Sequence, residues 1–310
     1  MTDYGALFRE LAIPRLVGSA NHAKVREILK RELAARGFGV VEHAFEGRPS
    51  RALFGTPRRV TGINLIASRS QAQAWARPSL SLRTVSAEHT LQDVNKIWLV
   101  AHYDSKGQPI SMAVRLLGFF GLALGLVGLL LASLPALVLL VISLVIVLQN
   151  RVNDNSPGAV DNATAIIAVF MTIDQLSPAA PVGVIFPDAE EFGMVGARAL
   201  AADRADLFTD AAVINLDGLD DIGRPVAFLH RAGKHSAAIA QALHARPWRW
   251  LPVIVDGIAL ARVARECVTT LKGNWRTMLV VHRAADSTDR VRLDGAASVA
   301  AGLARILRAA

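Results

Sequence analysis

Between Arg115 and Arg151 the chain carries no charged residue, and Leu116 to Leu148 is almost wholly Leu, Val, Ile, Phe, Gly and Ala. A run of more than about 18 apolar residues is long enough to cross a bilayer as a helix. This one is too long for a single ordinary span and is punctuated by Ser133-Leu134-Pro135 near its middle. At about 1.5 Å per residue, Leu116 to Ser133 makes a helix of roughly 27 Å and Ala136 to Asn150 one of roughly 22 Å, joined at Pro135. The pattern predicts a two-helix membrane hairpin within residues 113–150. The alternative is a buried or dimerising hairpin in a soluble protein, but residues apolar on every face exceed what one domain face can cover.

The rest of the 310-residue chain reads as one discontinuous domain, residues 1–112 and 151–310. Its 52% hydrophobic content is far above that of a disordered chain. The formal charge of +8 comes largely from scattered Arg, with no basic block and few interleaved aromatics, which argues against a nucleic-acid partner and is compatible with an anionic lipid surface. A single cysteine, Cys267, excludes a disulfide framework and a Cys-rich metal site. Any metal would have to be held by His, Asp and Glu. The first residues, MTDYGALFRELAIPRLVG, carry acidic residues and lack both a basic leading region and a continuous apolar run, unlike a signal peptide.

Helical spacing over Asn21 to Arg36, closed by Gly37 and Gly39, leads into a strand at Val40 to Phe45, and Thr61 to Ser68 reads as a second strand. A polar stretch up to Val94 reads as a hairpin or surface loop. Beyond it, four short apolar runs each end on a polar residue: Ile97–Ala101 before His102, Val182–Pro187 before Asp188-Ala189-Glu190-Glu191, Ala211–Leu216 before Asp217, and Met278–Val281 before His282. Helical patterns at Ala163 to Leu176 and Asp294 to Ala309 lie between and after them. Strands alternating with helices predict an α/β fold, a three-layer arrangement with a mostly parallel or mixed central sheet and helices on both faces. In such sheets ligands gather outside the carboxyl ends of the strands, so the four polar ends are expected to converge.

Two histidines and three carboxylates, His102, Asp161, Glu191 or Glu190, Asp217 and His282, form a donor set suited to a pair of zinc ions sharing a carboxylate. Asp161, on a Gly-containing loop before a helix, is placed to approach both ions. Of the adjacent Glu190 and Glu191, one can ligate from a turn while the other reaches a bound water as general base. Asp104, two residues after His102, is placed to accept from the second imidazole nitrogen and orient the ring. Both ends of the apolar insert must then lie on one side of a membrane, so a single span is excluded. Arg115 and Arg151 flank it, with Lys106 nearby, and its tip is uncharged, which predicts a cytoplasmic catalytic domain.

Taken together, Pro14-Arg15-Leu16-Val17-Gly18-Ser19, Gly37-Phe38, Asn64-Leu65-Ile66-Ala67, His102-Tyr103-Asp104, Gly158-Ala159-Val160-Asp161-Asn162, Glu190-Glu191-Phe192-Gly193, Asn215-Leu216-Asp217 and His282-Arg283-Ala284-Ala285-Asp286-Ser287 resemble the M28 zinc peptidases, the co-catalytic aminopeptidases of bacteria. The resemblance runs nearly end to end apart from the insert, whose removal leaves an ordinary loop of about 20 residues between His102 and Asp161. It implies that His102 and Asp217 bind one zinc and Glu191 and His282 the other, with Asp161 bridging and Glu190 as general base. It also implies a peptide substrate cleaved after its N-terminal residue. Arg283 replaces the family's Thr after the last His, Ser287 stands for its later Thr, and Arg246 to Thr277, where the family builds its substrate pocket, matches poorly. Two other readings stand beside this one. Glutaminyl cyclases of the same fold family share a segment similar to His102-Tyr103-Asp104-Ser105-Lys106, use one zinc, and carry Ser where this chain has Asn162. A non-catalytic membrane-bound binding module on the same scaffold is the third.

Overall fold

The computed structural model describes residues 2–49, 55–69, 97–131, 133–249 and 254–309. Eight strands form one mixed sheet in the order β1-β2-β4-β3-β5-β8-β6-β7. They are β1 (Gly39–Gly47), β2 (Val60–Ser68), β3 (Ile97–Val100), β4 (Val182–Phe186), β5 (Ala212–Leu219), β6 (Arg224–Arg231), β7 (Arg246–Trp248) and β8 (Glu266–Gly273). The centre, β4-β3-β5-β8, is parallel. The β1-β2, β2-β4 and β6-β8 pairs are antiparallel. The interior strands β3 and β4 are buried throughout, as parallel strands covered on both faces must be.

Strand alternation divides the side chains between two cores. Ile97, Leu99, Ala212 and Ile214 point to one face, against α1 (Tyr4–Leu11), α2 (Ala20–Ala35), α5 (Thr164–Ile173) and α10 (Asp294–Ala309). Trp98, Val100 and Val213 point to the other, against α6 (Val195–Asp203) and α8 (Asp256–Leu260). A further helix, α7 (Lys234–Ala242), packs beside α10. The architecture is therefore three-layered. Helix starts follow ordinary capping: the Asp3 side chain accepts from Ala6 N–H and that of Ser19 from His22 N–H.

One expected element is different. Met278 to Val281 is not a strand; Thr277–Val280 is a single helical turn, α9. Thr277 Oγ1 accepts from Asn274 N–H and donates to Asp220 Oδ2 at 2.6 Å, which curls the chain away from the sheet directly after β8. The sheet position is taken by β8 itself. The polar stretch read as a hairpin or surface loop lies, beyond Arg69, outside the described residues.

The apolar insert consists of α3 (Met112–Leu129) and α4 (Leu134–Leu148), with Pro135 in the first turn of α4. Gly118, Gly121, Gly125 and Gly128 of α3 face Ile146, Ser143, Leu140 and Ala136 of α4, so the two helices run antiparallel in close contact. A Cβ at Gly125 would come within 3.0 Å of the Leu140 backbone. Leu117, Phe120, Leu126, Val127, Leu130 and many other large apolar side chains of the pair stay exposed. The base is clasped: Gly107 and Asn153 exchange backbone hydrogen bonds at 2.8 and 2.9 Å, and Gln108 Nε2 donates to Asn150 Oδ1. Of these helices α3 is long and apolar enough to cross a membrane, and α4 is shorter.

Candidate metal centre

The carboxyl ends of β3, β4 and β5 deliver His102, the Glu190-Glu191 turn and Asp217 to one place. Asp161 arrives on the loop Ala159–Ala163 that precedes α5, and His282 follows α9. His102 Nε2 lies 3.1 Å from Asp161 Oδ1 and 3.9 Å from Asp217 Oδ1. His282 Nε2 lies 3.0 Å from both Asp161 Oδ2 and Glu191 Oε1. Two donor groups result, His102-Asp161-Asp217 and Asp161-Glu191-His282, each with its ligand atoms within 4.8 Å of one another. Asp161 belongs to both.

The supports are as specific as the donors. Asp104, fully buried, accepts from the backbone N–H of Glu190 through Oδ1 and of Glu191 through Oδ2, both at 3.1 Å. His102 Nδ1 sits 3.2 Å from the Asp104 carbonyl oxygen and 3.4 Å from Oδ1, so one residue backs the imidazole and shapes the carboxylate turn. Asp286, also fully buried, accepts from Val160 N–H at 2.8 Å and Asp161 N–H at 3.2 Å. Asn162 donates to Leu216 O and accepts from Gly218 N–H, each at 3.1 Å, tying the Asp161 loop to Asp217. Arg15, buried, donates to Tyr103 O at 2.7 Å, to Gly158 O at 3.1 Å and to Pro157 O.

Two of the basic residues read from the sequence as marking the domain side of the insert, Arg115 beside it and Lys106 nearby, are buried in this centre. Lys106 Nζ lies 2.9 Å from Glu191 Oε2, and Arg115 Nη2 lies 2.6 Å from His282 Nδ1. Arg151 alone of the three is exposed. Both cations sit there because the insert's base folds back onto the loop carrying His282, whose carbonyl oxygen accepts from Gln108 N–H at 2.7 Å.

The electrostatics suit a cation. Burial would lower the His102 pKa, but the Asp104 and Asp161 hydrogen bonds and the Glu190 charge overcome it and hold the imidazole well above its usual range. Burial works upward on Asp161 and Glu191. Hydrogen bonds to His102 and His282 bring the first well below the carboxylate range, and the charges of His282 and Lys106 bring down the second. On Asp217 burial, and then the charge of Asp161, outweigh the lowering charges of His102 and His282 and push it up to about 7. Three carboxylates and two imidazoles crowded out of water, with one carboxylate driven toward neutrality, are the donors a divalent metal would rebalance, and their nitrogen and oxygen chemistry fits zinc.

Beside the donors opens a cavity of about 290 Å³, with Asp161, Glu190, Glu191, Asp217 and His282 on its wall. Its apolar lining includes Met112, Phe228, Ile254, Leu271 and Met278. Sequence reading missed this lining, and it missed Asp256, on α8, buried with both carboxylate oxygens lacking a hydrogen-bond partner among the described residues. Burial drives that carboxyl well above its ordinary range. An acidic residue directly after Leu251-Pro252-Val253-Ile254-Val255 was the available signal. His22, His43, His230 and His235 have partners outside the two donor groups.

The sequence model of peptidase family M28 matches residues 84–250, more than half of the chain. The protein belongs to peptidase family M28. The match takes in His102, Asp104, Asp161, Glu190, Glu191 and Asp217, while His282 lies beyond it. No curated protein matches the sequence. Among solved structures, this M28 chain is similar to a glutaminyl cyclase from Bacteroides thetaiotaomicron, with 14% identity over 99% of this chain and 97% of that one and a TM-score of 0.64. It is similar to a zinc-dependent exopeptidase from Parabacteroides distasonis, with 14% identity over 98% and 95% and a TM-score of 0.62. An aminopeptidase from Aneurinibacillus shares 11% identity over 98% and 93%, with a TM-score of 0.59. At these identities the likeness is one of fold.

Proposed function

We propose that this M28 protein is a membrane-anchored zinc peptidase that removes N-terminal residues from peptides. The observation that carries the reading is the pair of donor groups sharing Asp161, with Glu190 beside them on the wall of the apolar cavity. His102, Asp161 and Asp217 would hold one zinc, and Asp161, Glu191 and His282 the other. Bound zinc supplies an electrophile for the peptide carbonyl and a water of lowered pKa. Glu190 takes the proton from the attacking water and delivers it to the leaving amine, Asp104 orients His102 and the turn bearing Glu190, and the apolar wall excludes water around the substrate side chain. Hydrolysis of peptides with free N-termini, lost when the N-terminus is blocked and when zinc is removed, tests the assignment.

Cyclisation of N-terminal glutamine is the second reading, favoured by similarity to the Bacteroides thetaiotaomicron cyclase. The second donor group, Asp161-Glu191-His282, favours the peptidase, since a single-zinc cyclase needs only one such group. Ammonia release from a glutaminyl peptide without chain cleavage would establish the cyclase instead.

The exposed apolar surface of α3 and α4 supports their role as the membrane hairpin of a single discontinuous domain. At about 27 Å and 22 Å these helices reach most of the way through a hydrocarbon core of roughly 30 Å. The cytoplasmic placement of the catalytic domain rests on Arg151, since Arg115 and Lys106 face the metal centre. Protease protection in sealed vesicles reads that sidedness.

A further inference from the structure

The two donor groups are not electrostatically equal. Each ligand that belongs only to the second group touches a buried cation: Glu191 meets Lys106 at 2.9 Å, and His282 meets Arg115 at 2.6 Å. The ion pairs of His102 and Asp217 are with each other and with Asp104 and Asp161, all acidic apart from the histidine itself. A divalent ion is therefore drawn to the first group by a surplus of negative charge and meets two fixed positive charges at the second.

Hydrogen-bond roles point the same way. A histidine that binds a metal through one nitrogen donates from the other to an acceptor, as His102 does toward Asp104. A guanidinium has only donors to offer. Arg115 thus presents His282 Nδ1 with a donor where a metal-bound ring needs an acceptor, while Nε2 faces the two carboxylates at 3.0 Å. Metal at the second group requires Arg115 to withdraw.

Arg115 stands on the first turn of α3, one turn from Met112, which lines the cavity. Its position therefore follows the seating of the apolar insert on the domain. We propose that Arg115 makes the Asp161-Glu191-His282 group the weaker and more exchangeable metal site, so that the insert controls how many ions the centre holds. This rests on the reading of the five residues as metal ligands.

The test is titration of zinc alone into the metal-stripped full-length protein in detergent micelles, with affinities read by competition against a chromogenic chelator. The expected result is two binding events separated by roughly tenfold or more, as opposing charges at close range require. Glu191→Gln should remove the weaker event and leave the tighter one. Arg115→Gln should narrow the gap by tightening only the weaker event, while Arg115→Lys, which keeps the charge, should preserve the gap; Arg115→Met is the charge-removing variant if the glutamine protein does not fold. Two equal events in the unmodified protein, or an unchanged gap on removing the Arg115 charge, overturn the proposal. If no zinc binds at all, the metal-centre reading itself fails, an outcome distinct from either of these.

Discussion

The Asp104 carboxylate lies behind His102 and at the same time accepts the backbone N–H of Glu190 at 3.1 Å. One buried acid thereby couples the imidazole proposed as a zinc ligand to the residue proposed as general base. Asp104→Asn keeps the shape and removes the charge that orients the ring. Zinc affinity is expected to fall by roughly 10–100-fold, with a parallel fall in turnover. Zinc retained on dialysis against a graded chelator checks it.

Glu190→Gln removes a proton acceptor and leaves both donor groups intact. The variant should keep its zinc and lose hydrolysis by roughly 10²–10⁴-fold, with KM little changed. Metal analysis alongside steady-state kinetics on one preparation reads both. Full turnover in the variant would exclude Glu190 as the base.

Asp217 gives the metal-free protein a pH dependence of definite sign. Its carboxyl is raised from the ordinary range to about 7, so between about pH 4 and 7 the folded state holds a proton that the unfolded chain has released. Stability of the stripped protein from this group is complete below pH 4 and is lost as pH rises through 7. His102, raised above its ordinary value, loses its contribution in the same direction at higher pH. Thermal midpoints of the chelator-treated protein should fall from pH 5 to 8, and Asp217→Asn should flatten the part of that slope below pH 7.

The glycines of α3 make the insert a close-packed pair. Gly125→Leu places side-chain atoms against the Leu140 backbone, and the two helices must separate. Limited proteolysis in micelles should show earlier cleavage near residues 130–134. For the anchor itself, the full chain should stay with membranes through a carbonate wash, and a chain with a short polar loop in place of residues 116–148 should wash off.

Much of this was legible in the sequence, for a physical reason. Strands buried on both faces read as short continuous apolar runs, so β3, β4 and β5 stood out, and the polar residues at their ends came with them. The fold class and the family followed from those ends. β8, with Glu266 and Lys272 near its termini, did not read as a buried strand, because those charges are satisfied by distant partners: Glu266 by the backbone of His235 and Ser236, Lys272 by the carbonyl oxygens of Asp220 and Asp221. Arg115 and Lys106 misled for the same cause. A cation beside an apolar run reads as a marker of membrane sidedness, and only tertiary folding brings His282 to Arg115 and Glu191 to Lys106. Asp256 stayed hidden because a single acid has no periodicity to betray it.

The activity proposed for the protein is zinc-dependent hydrolysis at free N-termini. Its most direct measurement is release of the N-terminal residue from paired peptides, free and N-acetylated, by the full-length protein before chelation, after chelation and after zinc is restored. The protein should cleave the free peptide alone, with cleavage abolished by chelation and recovered with zinc. Cleavage that survives metal removal, or no cleavage by a protein that holds its zinc, would contradict it.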